Sequence, residues 1–169
     1  MKKNLTLTGM MGVGKSTIGK ALSKRLSKEF VDIDKVIEKK LNLTVQKIFE
    51  QKGEYFFRKL EEKVTLEEIK KDNKIISLGG GAFMNSKIRK FVILHTKSFW
   101  LDVNTNILTK RLQNSKKRPL LVGDDIKFTL EKIYNERKST YSLANYRIDC
   151  NNLTTELIVN KIVKLYEND

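Results

Sequence analysis

Nine consecutive residues near the start of the chain, Gly9-Met10-Met11-Gly12-Val13-Gly14-Lys15-Ser16-Thr17, combine types and spacing that suit one ligand, a nucleoside triphosphate. Glycines at 9, 12 and 14 let the backbone curl until several N–H groups point inward at an anion. The Lys15 ammonium would reach the β- and γ-phosphates, and the Ser16 hydroxyl would ligate the Mg²⁺ that those phosphates carry. Leu5–Thr8 before the stretch reads as a short buried strand, while Ile18, Ala21, Leu22 and Leu26 after it recur at helical spacing. The glycines therefore occupy a strand-to-helix turn, with the positive end of the helix dipole aimed at the same point. This is a P-loop, and Gly12, Val13, Gly14, Lys15, Ser16 and Thr17 are its expected nucleotide-binding residues.

Beyond the P-loop, the residues able to do chemistry are acids, arginines and a second set of glycines. Phe30-Val31-Asp32-Ile33-Asp34 reads as a strand, and alternate residues of a strand share a face, so Asp32 and Asp34 present a pair of carboxylates at its end. Gly79-Gly80-Gly81 follows the apolar run Ile75–Leu78 and leaves open backbone for something that approaches the main chain. Arginines are scattered along a lysine-rich chain, among them Arg58, Arg111, Arg118 and Arg137, and a guanidinium fork matches a planar carboxylate in a way that lysine cannot. Arg137 has no acid three or four residues away. Arg58 has Glu54, Glu61 and Glu62 at helical spacing, so an ion pair on its own helix is an alternative reading. An alternative reading makes Asp32 and Asp34 strand-end caps, and Arg118 a loop charge. Phosphoryl transfer needs parts of these kinds: a group that orients the acceptor hydroxyl, cations for the charge on the γ-phosphoryl, and a cover that excludes water. Neither Asn73-Lys74 nor Asn160-Lys161 continues into the Asn-Lys-x-Asp run of a guanine-specific GTPase.

Together the P-loop, Asp32-Ile33-Asp34, Gly53-Glu54 with Phe57-Arg58 and Glu61, Gly79-Gly80-Gly81, Arg118-Pro119-Leu120, and Arg137 with Tyr141 resemble the successive motifs of the shikimate kinase family. The resemblance implies a P-loop kinase fold and transfer of the ATP γ-phosphate to the 3-hydroxyl of shikimate, in the pathway to aromatic amino acids. It implies that Asp34 holds the acceptor hydroxyl and helps take its proton, and that Asp32 acts on Mg²⁺ through water. Arg58 and Arg137 would clamp the substrate carboxylate, Gly79, Gly80 and Gly81 would offer backbone N–H groups, and Phe49 and Phe57 would wall the ring. Arg118 would close over the phosphates from a lid and share the catalytic work with Asp34 and Lys15, while Arg111 would lie against the adenine.

These residues need elements to hold them. Strands expected at 5–8, 30–34, 75–78, 98–103 and 146–150 alternate with helices, which calls for an α/β fold: a five-stranded parallel sheet with helices on both faces. Gly53 should break the helical stretch that begins near Val45, Asn42 or Thr44 should cap that stretch, and Asn85, Asn104 or Thr105, and Thr154 or Thr155 should cap later helices. Trp100 reads as core. The 169 residues are expected to form one domain, with a substrate-binding helical region near 33–62 and a lid near 113–125, where the only proline, Pro119, falls in a polar, basic, aperiodic segment. Cys150 is the single cysteine, which excludes an internal disulfide. No run approaches the roughly 18 to 20 apolar residues that span a bilayer, and no signal peptide is apparent, so a cytoplasmic protein without membrane partners is expected; a monomer is expected as well. A formal charge of +14 raises a nucleic-acid-binding NTPase as an alternative, and another small P-loop kinase, for a sugar acid or a nucleoside monophosphate, is a second. Lysines spread along the whole chain and mixed with acids favour solvated helix faces over a nucleic-acid surface.

Overall fold

In a parallel sheet the central strands are covered on both faces and read as continuous apolar runs, while the edge strands remain part-exposed. The computed structural model, which describes residues 3–113 and 125–168, follows that rule. Strands β1 (Asn4–Thr8), β3 (Lys74–Ser77) and β4 (Thr96–Asp102) are almost wholly buried, and β2 (Glu29–Asp32) and β5 (Tyr146–Asp149) form the half-exposed edges. All pairings are parallel, in the order β2-β3-β1-β4-β5.

Seven α-helices connect or follow the strands among the described residues: α1 (Lys15–Leu26), α2 (Ile33–Leu41), α3 (Val45–Ile69), α4 (Ser86–His95), α5 (Thr105–Leu112), α6 (Ile126–Tyr141) and α7 (Thr155–Glu167). The crossover from β1 to β2 runs across the sheet in the opposite sense to the later ones. With right-handed crossovers this places α1 on one face, where α7 packs beside it, and the remaining helices on the other. The reversal falls between the adjacent strands β1 and β3. A crevice at the carboxyl ends of those two strands is where an open α/β sheet binds its ligands. The P-loop leaves β1 there and the triple glycine leaves β3, with Leu78 N–H donating to Leu7 O at 3.0 Å between them.

The capping residues explain most helix starts. Asn85 accepts from Lys87 N and Ile88 N, Asn104 from Asn106 N, Thr154 from Leu157 N, and Thr44 from Lys47 N. Asn42 instead closes α2 in the left-handed region, at φ 53°. The strand expected over 30–34 is corrected here: β2 stops at Asp32 and α2 starts at Ile33. The reason is Asp32 itself, whose carboxylate accepts from Lys35 N and so caps the helix, leaving Asp34 in its first turn. The two acids are therefore not alternate residues of one strand face. Gly53, at φ 81° and ψ 164°, divides α3 into two limbs, 45–52 and 54–69. Trp100 lies in the core, stacked on Tyr141 at 6.0 Å between ring centroids. No helix among the described residues is long and apolar enough to cross a membrane.

Candidate active site

On the β1 side the P-loop makes its turn through Gly12 and Gly14 at φ 80° and 100°, and Gly14 starts α1, so the N-terminal N–H groups of that helix open toward the loop. The Lys15 ammonium folds over its own loop, donating to Gly9 O at 2.8 Å and Met10 O at 2.9 Å. Arg111 reaches the same loop from α5 and donates to Gly12 O and Val13 O at 3.2 and 3.4 Å. Ser16 Oγ donates to Asp32 Oδ2 at 2.5 Å, which joins the loop to the end of β2. Gly12, Gly14, Lys15, Ser16, Thr17, Asp32 and Asp34 all border a cavity of about 420 Å³. Lysine, backbone N–H groups and a hydroxyl around such a space form a polyphosphate cradle.

On the β3 side a smaller cup of about 60 Å³ opens among Asp34, Phe49, Phe57, Arg58, Gly79–Gly81 and Arg137, with Met11, Val45 and Glu61 completing its wall. Asp34, Val45 and Gly80 border both spaces, so the cup and the cradle meet at a carboxylate. Phe49 and Phe57, from the two limbs of α3, lie 4.9 Å apart between centroids and form the apolar side. Over them sits the Arg58 guanidinium, 5.3 Å from the Phe57 ring and 5.9 Å from the Phe49 ring. Gly79 has no room for a side chain: a Cβ there would run into Glu61 Oε1 and Asp34 Oδ1.

The ion pair that the sequence offered for Arg58 is present, and it leaves the guanidinium at the cup. It pairs with Glu61 at 2.8 Å and with Glu54 at 3.2 Å, and it also faces the cup. Burial would lower its pKa, and the carboxylates of Glu61 and Glu54 outweigh that and raise it. Glu61 is 1% exposed, and burial pushes its carboxyl up to about 7 against the pull of Arg58, with Asp34 nearby adding to the rise. The Glu61–Arg58 bond fixes the guanidinium fork relative to α3. Across the cup, Arg137 Nη1 donates to Gly80 O at 3.0 Å, and the buried Tyr141 hydroxyl donates to the same oxygen.

The structure thus brings together Asp34, Arg58, Arg137, Gly79–Gly81, Phe49 and Phe57 in one cup, and Gly12, Gly14, Lys15, Ser16, Thr17 and Asp32 around the adjoining cradle. Val13 is buried in the loop itself, and Arg111 lies on the loop carbonyls. Arg118 and the stretch 114–124, the body of the expected lid, lie outside the described residues. Met11, Val45 and the inward face of Glu61 were not expected from residue types. Glu61 did carry a signal: it is four residues after Phe57 and three before Val64, on the stripe that α3 buries.

A parallel sheet with its P-loop at the switch point, bordered by a second polar cup, defines a P-loop kinase fold. A deoxyadenosine kinase from M. mycoides shares the architecture, with a TM-score of 0.61 at 17% identity over 98% of both chains. Within that class the chain belongs to the shikimate kinase family, whose model matches residues 11–167. A shikimate kinase from Sulfurihydrogenibium sp. (strain YO3AOP1) is 42% identical over 161 residues, 95% of this chain and 96% of that one. A shikimate kinase from Acinetobacter baumannii, solved in complex with shikimate, superposes with a TM-score of 0.95 at 31% identity, covering 98% of this chain and 93% of that one. Neither the nucleic-acid-binding NTPase nor a kinase for another small acceptor is favoured by these likenesses.

Proposed function

We propose that the chain transfers the γ-phosphate of ATP to the 3-hydroxyl of shikimate, giving shikimate 3-phosphate and ADP. One observation carries the reading: the acceptor cup and the phosphate cradle share Asp34 and Gly80, so a molecule seated in the cup presents its hydroxyl to the cradle beside a carboxylate. Arg58 and Arg137, on opposite sides of the cup, would clamp the acceptor's carboxylate, with Phe49 and Phe57 against its ring and the 79–81 backbone beneath. The clamp places the reacting oxygen toward Lys15 and the N-terminus of α1, which bind and neutralise the β- and γ-phosphates. As the acceptor oxygen bonds to the γ-phosphorus, the bond to the ADP oxygen breaks, and Asp34 orients the hydroxyl and receives its proton. Arg118, on a lid near 113–125, would close over the phosphates, and Arg111 would steady the loop beside the base.

The donor set fits Mg²⁺. Ser16 Oγ and Asp32 already meet at the mouth of the cradle, and Mg²⁺ favours a few protein oxygens completed by phosphates and water. Ser16 would ligate it directly and Asp32 through water. When bound, the ion would supply positive charge against the negative charge of the phosphates. We further propose a cytoplasmic monomer with one substrate-binding helical region near 33–62, since a single chain supplies every group named.

ADP release from the purified chain, coupled to a dehydrogenase readout, tests this. Release is expected with ATP and shikimate together and close to background with ATP alone, with gluconate, with nucleoside monophosphates or with RNA. Equal release with and without shikimate overturns the proposal.

A further inference from the structure

Helix α6 presents Tyr134, Arg137 and Tyr141 at intervals of three and four residues, which is one face of the helix. Arg137 and Tyr141 both donate to Gly80 O at the cup. Tyr134 points its hydroxyl elsewhere, to Asp102 Oδ1 at 3.2 Å, at the last residue of β4. Asp102 is 5% exposed and lines neither cavity, yet it is heavily engaged. Its other oxygen accepts from Arg147 on β5, from Nε at 3.0 Å and Nη2 at 2.7 Å. The Arg147 guanidinium in turn lies 5.1 Å from the centroid of Trp100, and Trp100 stacks on Tyr141.

Apolar contacts such as that of the buried Leu130 set the depth of α6 without setting its direction, because burial has no preferred angle. Hydrogen bonds do have one. Tyr141 ties α6 to the cup, and Tyr134, two turns earlier, ties it to the end of β4, so the rotation of the helix between the two points is fixed. Arg137 lies within that interval.

We propose that Asp102, oriented by Arg147, is a positioning residue for Arg137: through Tyr134 it sets the rotation of α6 and so the reach of the guanidinium over the acceptor's carboxylate. The inference rests on the reading of Arg137 as a carboxylate clamp. Arg147 serves both ties, by holding Asp102 on one side and by packing on the Trp100 ring that backs Tyr141 on the other.

Steady-state kinetics on Tyr134→Phe, which keeps the ring and removes one hydroxyl, tests it. The KM for shikimate is expected to rise about three- to tenfold, the yield of one net hydrogen bond, with the KM for ATP unchanged. Arg147→Gln, at a mostly exposed side chain, should shift the same constant in the same direction and serves if Tyr134→Phe folds poorly. In the double variant with Arg137→Lys the two effects on the KM for shikimate should fall short of multiplying, since both act through one guanidinium. Equal rises in both KM values, or fully multiplicative effects, overturn the proposal by reducing Tyr134 to a general stabiliser. If Arg137→Lys raises the KM for shikimate while Tyr134→Phe and Arg147→Gln leave it alone, the positioning role fails and the clamp stands. If Arg137→Lys itself has no effect, the clamp reading fails and this inference with it.

Discussion

The cradle and the cup are built by opposite strategies. The cradle is centred on one stretch, residues 9–17, with Asp32 and Asp34 at its border, and what that stretch presents is backbone N–H groups, a helix end, a hydroxyl and one lysine. The cup is assembled from α2, both limbs of α3, the loop after β3 and α6, with Met11 of the P-loop in its wall, and it presents side chains that other side chains hold in place. Backbone sites need a particular curl of the chain and tolerate most neighbours. Side-chain sites need each group braced, and the bracing residues, Glu61 on Arg58 and Tyr141 beside Arg137 at Gly80, are the most deeply buried polar groups of the cup. A triphosphate is common to many reactions, whereas the acceptor must be chosen, so the elaborate construction falls on the acceptor side.

The largest effect is expected where the two regions meet. Asp34→Asn keeps the shape of the shared wall and removes the proton acceptor, so kcat should fall by about 10²- to 10⁴-fold while ATP binding, read by calorimetry, stays unchanged. Near-normal kcat would show that the meeting point of cup and cradle is only a wall.

Next comes the cost of bracing. Glu61 has a carboxyl raised from 4.5 to about 7 by burial, partly offset by Arg58. An acid whose pKa rises on folding keeps a proton in the native state that the unfolded chain has already released. Its contribution to stability is therefore present below about pH 4.5, is lost as the pH rises toward 7, and is constant above that. The loss is on the order of 3 kcal/mol. Urea midpoints for Glu61→Gln and the unmodified chain at pH 5 and pH 8 measure it, and the variant should lack that part of the slope. Parallel pH profiles would mean that Glu61 is not paying a burial cost to hold Arg58.

Replacing either arm of the clamp, Arg58→Lys or Arg137→Lys, should raise the KM for shikimate by about ten- to a hundredfold, with a much smaller change for ATP. Equal changes for both substrates would dissolve the distinction between the two regions.

That distinction also explains what the residues revealed in advance. The P-loop, the parallel alternation, the break at Gly53 and the caps at Asn85, Asn104 and Thr154 are local features, set by neighbours in sequence, and all are legible there. The end of β2 was less so, because Val31-Asp32-Ile33-Asp34 alternates with the period of a strand while the Asp32 side chain, bonding to Lys35 N, turns the same residues into a helix start. Ile33 and Ile37, buried four residues apart, belong to that helix. Met11 and Val45 reach the cup only through tertiary packing, and nothing in their types distinguishes them from core. Arg58 was ambiguous for a physical reason, since two of the three acids that suggest a surface pair, Glu54 and Glu61, are bonded to it at the cup, while Glu62 turns to Lys87.

Asp32 gives the smallest and sharpest test, because it belongs to both regions. Its Oδ1 accepts from Lys35 N and starts α2, a helix of the cup, while its Oδ2 accepts from Ser16 in the cradle. Asparagine caps a helix about as well as aspartate, so Asp32→Asn should leave the denaturation midpoint within a few tenths of a kcal/mol, whereas Asp32→Ala should lose about 1 kcal/mol. Both variants lose the negative charge beside Ser16, and both should need about tenfold more Mg²⁺ for half-maximal activity. If Asp32→Asn matches the unmodified chain in its Mg²⁺ requirement, the residue serves the cup alone. If it loses as much stability as Asp32→Ala, the cap depends on charge at the N-terminus of α2, and Asp34, in the first turn of the helix, does not compensate for it.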